Sequence, residues 1–197
     1  AGKGTQAKRL SDHLKVAYCS TGSVLRQEER RDTDLGVEIH RFLKDGNFVP
    51  DELVLKIVYN WLQAVEVEFV LDGFPRTLFQ GSALDQFLSE TRRPAAMAVY
   101  LDVPMSSLEQ RVALRVSCDP CGNVWSRPAP SHCPDCGVRV GPRSDDSLEL
   151  YRARLAEYQR KTVPLLPYYE DNNRLRRICG VGSPDLVFQR IMTALTS

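Results

Sequence analysis

Six residues at the head of the sequence, Ala1-Gly2-Lys3-Gly4-Thr5-Gln6, put glycines, a positive charge and a hydroxyl into one short stretch. Glycine lets a backbone come close to a phosphate. Lys3 adds a full charge beside the N–H groups left open where a helix begins. The Thr5 hydroxyl is of the kind that reaches a magnesium ion. The stretch matches the back half of a Walker A loop, with the usual leading glycine absent. Alone it is a weak signal, since short Gly/Lys runs are common at exposed turns. The rest of the chain has to decide.

A second group is Asp72-Gly73-Phe74-Pro75-Arg76-Thr77. Phe69-Val70-Leu71 reads as a short buried strand stopped by Gly73 and Pro75, which leaves Asp72 at its exit. A carboxylate there can hold magnesium, directly or through water, beside a Lys3 phosphate site. Its plain alternative is a turn or helix cap. Arg76 offers a planar fork suited to a phosphate.

The third group is a cysteine quartet, Cys118-Asp-Pro-Cys121-Gly and Cys133-Pro-Asp-Cys136-Gly. Two thiolate pairs close a tetrahedron around zinc, and each trailing glycine lets the backbone turn tightly at the metal. Four sulfurs fill every position, so the zinc would be structural. Zinc-finger peptides gain about 10–16 kcal/mol on folding around such an ion, ample to order a segment with no core. Disulfide pairing is the plain alternative, and iron could stand in for zinc. Cys19 and Cys179 stand alone.

Composition bounds what these groups can serve. With 26 basic and 25 acidic residues among 197, the net charge is +1. That argues against bulk attraction to nucleic acid or membrane, so anion recognition has to be local. The length suits one domain with small inserted lobes. No apolar run is long enough to span a bilayer. Paired cysteines used for metal suggest a reducing compartment, with the cytoplasm as default.

The elements that must position these groups follow from pattern. Helices are predicted over 4–13, 23–31, 35–44, 52–64, 78–89 and 104–115, again after Asp146, and over 185–195 behind Pro184. Asp51 reads as the N-cap of the 52–64 helix, and Asp146-Ser-Leu-Glu149 as a capping box. Pro164 and Pro167 interrupt the helix that follows. Strands are predicted over 16–19, 69–71, 96–102 and 174–179. Their alternation with helices implies an α/β fold, a parallel sheet with helices on both faces. Ligands of such sheets bind beyond the strand C-termini. The phosphate loop, Ser20-Thr21-Gly22 and the Asp72 to Arg76 turn should therefore face one cleft. Residues 118–142, rich in Cys, Pro and Gly, cannot form a hydrophobic core of their own.

Gly-Lys-Gly-Thr-Gln, Ser20-Thr21-Gly22 with Leu25-Arg26, Leu71-Asp-Gly-Phe-Pro-Arg-Thr77, and Asp102-Val-Pro together resemble the adenylate kinases, in that family's order and spacing. The resemblance implies a P-loop nucleoside-kinase fold. It divides the chain into a core of 1–19, 50–115 and 147–197, a lobe of 20–49 that binds the nucleoside monophosphate, and a zinc-bound lid of 116–146. It implies transfer of a phosphoryl group from MgATP to AMP, reversibly, giving two ADP, in a cytoplasmic monomer. Gly2, Lys3, Gly4 and Thr5 would hold ATP phosphates, with Arg111, Val124, Trp125 and Ser183 near the rest of that nucleotide. Thr21, Arg26, Asn47, Phe48, Val49, Gly73, Phe74, Pro75, Arg76 and Gln80 would form the AMP site, with Gln80 on adenine. Lys3, Asp72, Arg76, Arg115, Arg143 and Arg154 would serve the group in transit, and the last two would also touch AMP. Thr77 is the adenylate-type choice where pyrimidine enzymes usually carry Asn.

Phosphoryl transfer needs alignment and positive charge more than covalent help, so no general base is expected. His13, His40 and His132 are accordingly read as surface or linker residues. Ser23 replaces a usual acidic residue, Asn47 an often basic one, and Ser183 a common lysine. These departures suggest altered nucleotide affinity rather than another reaction. The short gap between the cysteine pairs implies a short lid. The residues of the family's first, central strand do not precede Ala1, so the expectation for the chain as it stands is poor folding and weak ATP binding. Other readings are a kinase of another nucleoside monophosphate, a catalytically impaired fragment, or a zinc-ribbon module for nucleic acid or protein. The last is disfavoured because the cysteine region has little aromatic or basic interleaving.

Overall fold

The computed structural model describes residues 1–142 and 147–196. Helix α1 (Lys3–Leu14) starts directly behind Gly2, whose φ of 81° is left-handed, and stops at Lys15, also left-handed. Strand β1 (Ala17–Ser20) follows, then α2 (Thr21–Glu29) and α3 (Asp34–Leu43). Helix α4 (Asp51–Gln63) buries Val54, Leu55, Val58 and Leu62. That spacing is one stripe of a 3.6-residue period. Strand β2 (Phe69–Asp72), α5 (Leu78–Glu90) and β3 (Ala98–Asp102) come next.

Strands β1 and β2 pair in parallel with Ser20 opposite Asp72, which brings two polar exits to the same edge. Strand β3 pairs in parallel with β6 (Leu175–Cys179). No ladder joins β2 to β3 among the described residues. Helices make that connection instead. Helix α1 packs against β2 and against α9 (Pro184–Thr196), and α9 packs against β6. Two apolar clusters back the pairs. The larger gathers Ile39, Val58, Leu62, Leu84 and Leu88, and the smaller Leu101, Ile178, Val187 and Ile191.

Helix α6 (Met105–Leu114) ends one residue short of the sequence expectation. Arg115 instead opens β4 (Arg115–Ser117), which pairs antiparallel with β5 (Val124–Ser126). Helix α7 (Leu148–Glu157) is capped by Ser147, which accepts the Leu150 N–H at 3.1 Å. The cap therefore falls one residue later than the expected box, whose Asp146 lies outside the described residues. The predicted interruption at Pro164 takes the form of a π-helical turn, Tyr158–Thr162, before α8 (Leu165–Asp171). A proline offers no N–H to continue the ladder, and the helix widens ahead of it.

Asp51 does not cap α4. It is the first helical residue, Pro50 holds the cap position, and no side chain caps there. The Asp51 carboxylate is drawn instead to two donors of α5, from Thr77 and Gln80, both at 2.7 Å. Two charge-assisted bonds in a partly buried site outweigh one cap bond at the surface. No helix among the described residues is long and apolar enough to cross a membrane.

Candidate active site

The exits of β1 and β2 bring the first two sequence groups together. The Asp72 carboxylate lies so close to Gly4 that a Cβ there would sit 3.2 Å from Oδ2. The first turn of α1 thus leaves little room for a side chain between itself and the carboxylate. Ser20 Oγ donates to the same Oδ2 at 3.3 Å and Tyr18 Oη at 3.4 Å, while Thr21 Oγ1 donates to the Asp72 carbonyl at 3.2 Å. Burial, with Asp72 beside it, pushes the Tyr18 pKa up to about 12, so its hydroxyl keeps its proton and remains a donor. Lys3 and Thr5 are exposed on the first turn of α1, and the Gln6 amide anchors that turn to the Pro184 carbonyl at 2.9 Å.

Behind this rim lies a group of arginines. Gly73, with φ 81°, turns the chain so that the Arg76 Nε donates to its carbonyl at 2.8 Å. A Cβ on Gly73 would meet Arg76 Nη2 and Thr21 Oγ1, each at 3.1 Å. Burial pulls the Arg76 pKa down, Asp72 opposes, and the guanidiniums of Arg154 and Arg26 pull it down further. Three like charges gathered in one place repel unless an anion joins them. On the far side, Arg111 bridges the Ala1 and Gly180 carbonyls at 3.4 and 3.2 Å.

The remaining sequence candidates divide. Phe48 lies against the Arg76 guanidinium, 5.1 Å from ring centre to Cζ, and Val49 and Phe74 are buried in the same region. Asn47 is exposed, and its N–H closes the end of α3 on the Phe42 carbonyl. Val124 and Trp125 stand in the β4–β5 ladder, and the Ser183 Oγ accepts the Leu186 N–H at 3.2 Å. Neither arrangement by itself ties these residues to the phosphate loop. Arg143 lies outside the described residues. His13, His40 and His132 are all exposed, as expected.

Several contacts have no signal in the sequence. Lys161 also faces the Phe48 ring, and the Thr162 hydroxyl donates to the Arg76 carbonyl at 2.8 Å. The cysteine-rich segment rests on the body at two places. Lys8 of α1 donates to Asn123 at 2.8 Å, and Asn123 donates to Asp135 at 2.6 Å. Arg30 of α2 meets Asp119 at 3.0 Å. A narrow cleft lined by Ser23, Arg26, Arg30, Cys118, Asp119 and Gly122 separates the segment from α2. These pairings span long stretches of chain, and only the tertiary fold creates them.

The four cysteine sulfurs lie within 4.8 Å of one another, and none is in a disulfide. Tetrahedral Zn–S bonds near 2.3 Å would set sulfurs about 3.8 Å apart, so the donor set fits zinc. Gly122 and Gly137, with φ 73° and 66°, each donate back to the Cys118 and Cys133 carbonyls at 2.8 Å, forming two matched turns. Burial opposes ionisation of Cys133, yet the N–H groups of Asp135 and Cys136 and the adjacent thiols bring it down to about 7. The Cys121 thiol, then burial and the other thiols, push Cys136 up to about 12. One thiolate forms readily here, and only a cation makes four favourable.

Comparison with known proteins agrees with this geometry. The family model for adenylate kinase matches residues 1–174. The adenylate kinase of Thermodesulfovibrio yellowstonii is 40% identical, over 99% of this chain and 94% of that protein. Those of Chlamydia caviae and Methanosarcina barkeri are 37% and 36% identical, over 98% and 99% of this chain and 91% and 94% of theirs.

Proposed function

The chain belongs to the adenylate kinase family, and on that premise we propose that it moves a phosphoryl group reversibly between MgATP and AMP, giving two ADP. The observation that carries the site is the meeting of the phosphate loop, Asp72 and the arginines at one strand edge. There a Cβ on Gly4 would lie 3.2 Å from the Asp72 carboxylate, and Arg26 and Arg154 both act on Arg76.

In this reading Gly2, Lys3, Gly4 and Thr5 grip the ATP phosphates, and Arg111 with Val124, Trp125 and Ser183 borders the rest of that nucleotide. Thr21, Arg26, Asn47, Phe48, Val49, Gly73, Phe74, Pro75, Arg76 and Gln80 form the AMP side. Arg115, Arg143 and Arg154 join Lys3 and Arg76 around the group in transit. Two polyanions repel at close range, so their approach depends on these fixed cations. Asp72, with Ser20 beside it, and the Thr5 hydroxyl would hold magnesium, which when bound neutralises charge shared between the phosphates. Cys118, Cys121, Cys133 and Cys136 would hold zinc as a purely structural ion, ordering a lid over 116–146. The body over 1–19, 50–115 and 147–197 and the lobe over 20–49 complete the division. Closure of lid on body excludes water that would otherwise take the phosphoryl group. A reducing compartment keeps four thiols available for the ion, which supports the cytoplasm. A monomer is the expected state.

The test is direct. The protein with AMP and MgATP should form ADP, and no AMP consumption at any magnesium concentration would refute the assignment.

A further inference from the structure

The Gln80 side chain is only 2% exposed, and both ends of its amide are engaged. Nε2 donates to Asp51 Oδ1 at 2.7 Å, and Oε1 accepts the Arg76 N–H at 2.8 Å. A carboxylate only accepts and a backbone N–H only donates. Rotating the amide by half a turn would therefore set oxygen against carboxylate and NH2 against N–H. Asp51 is itself held in place. Thr77 Oγ1 donates to Oδ2 at 2.7 Å while accepting the Gln80 N–H at 3.1 Å.

An amide has two N–H groups on nitrogen and two acceptor positions on oxygen. The two bonds to Asp51 and Arg76 use one of each. One donor and one acceptor remain, and their identity at each end is fixed. Adenine presents an acceptor at N1 and a donor at its 6-amino group. A 6-oxopurine presents the reverse, an N1–H donor and an O6 acceptor. A freely turning amide serves either base. A pinned amide serves the first and opposes the second.

We propose that Asp51 is a specificity-determining positioning residue, whose carboxylate fixes the Gln80 amide in the orientation that admits a 6-aminopurine monophosphate and rejects a 6-oxopurine one. This rests on the reading that Gln80 meets the base of the acceptor nucleotide.

The unaltered protein should rank acceptors by kcat/KM as AMP, then purine riboside 5′-monophosphate, then inosine 5′-monophosphate. The second lacks one partner for the amide, whereas the third sets donor against donor and acceptor against acceptor. Inosine monophosphate used as well as the unsubstituted purine would overturn the proposal, and this arm needs no variant to fold. Asp51→Asn places a side chain there that can present either oxygen or nitrogen, so that of the two pins the Arg76 N–H alone still resists a turn of Gln80. The AMP to inosine monophosphate ratio of kcat/KM should then fall by at least about tenfold, the worth of one opposed buried polar pair. The loss with AMP should appear in KM rather than kcat. A merely structural role would weaken both nucleotides alike, and an unchanged ratio would overturn the proposal. Gln80→Ala separates the two levels. If it leaves the KM for AMP unaltered, the placement of Gln80 at the base fails and takes the proposal with it. If it raises that KM while Asp51→Asn leaves the ratio intact, only the role of Asp51 is lost.

Discussion

At the cleft rim, Asp72, Thr21 and Arg76 hang from β1, β2 and the turn behind them. Phe69 and Leu71 of β2 pack against the cluster of Val58, Leu62, Leu84 and Leu88. Each large apolar side chain fully buried there contributes about 1.5–3 kcal/mol. In the cysteine-rich segment, by contrast, the buried apolar residues among those described are Val116 and the sulfurs of Cys118 and Cys133. The rim inherits its geometry from a core, whereas the cysteine-rich segment relies on a short ladder, polar contacts and four converging thiols. On the proposed reading, positioning for chemistry needs no ligand at the rim and depends on an ion at the cysteine-rich segment.

Three perturbations separate these supports, the strongest first. Arg76→Ala removes one donor from the charge cluster and leaves the apolar core untouched. It should lower kcat by about 10²–10³, in an ADP-formation assay, with the main thermal transition nearly unmoved. A large drop in that transition would mean that the rim is a structural member after all. Cys133→Ser takes one of four proposed ligands from a segment otherwise held by a short ladder and exposed polar contacts. Activity should fall at least about tenfold, and protection from amide exchange should vanish over 116–141 alone. Loss of protection in α4 and α5 as well would contradict the independence of the two regions. Arg30→Ala removes the contact with Asp119, whose partners are 49% and 60% exposed. Pairs this wet contribute about 0–1 kcal/mol, so kcat/KM should shift by less than about fivefold. The shift should shrink further in high salt. A salt-independent, larger effect would show that the segment is latched by that pair.

The sequence reading did best where chemistry is local. The phosphate loop opening α1, the strand exit at Asp72 and the glycine turns after each cysteine pair are short-range features, set by a few neighbouring residues. It did worst where one side chain has several suitors. Asp51 has the residue type and position of an N-cap, but its partners lie 26 and 29 residues away. Arg115 looked like the end of a helix and pairs across a hairpin with Ser126. Lys8 and Asn123, 115 residues apart, left no trace in any local pattern. Strand direction was legible from the alternation of elements. The described parallel strands stand as the pairs β1–β2 and β3–β6.

Helix α1 offers Lys3 at one end, while Leu10 further along leans on the smaller apolar cluster behind β3 and β6, and its flank rests on β2. The element proposed to grip an anion thus also packs between the two parallel strand pairs. A triphosphate seated on its first turn braces both halves at once, and at a hundredfold excess over Kd such bracing adds about 2.7 kcal/mol. On the proposed function, amide exchange in the body should slow when the donor nucleotide is bound and recover when product leaves.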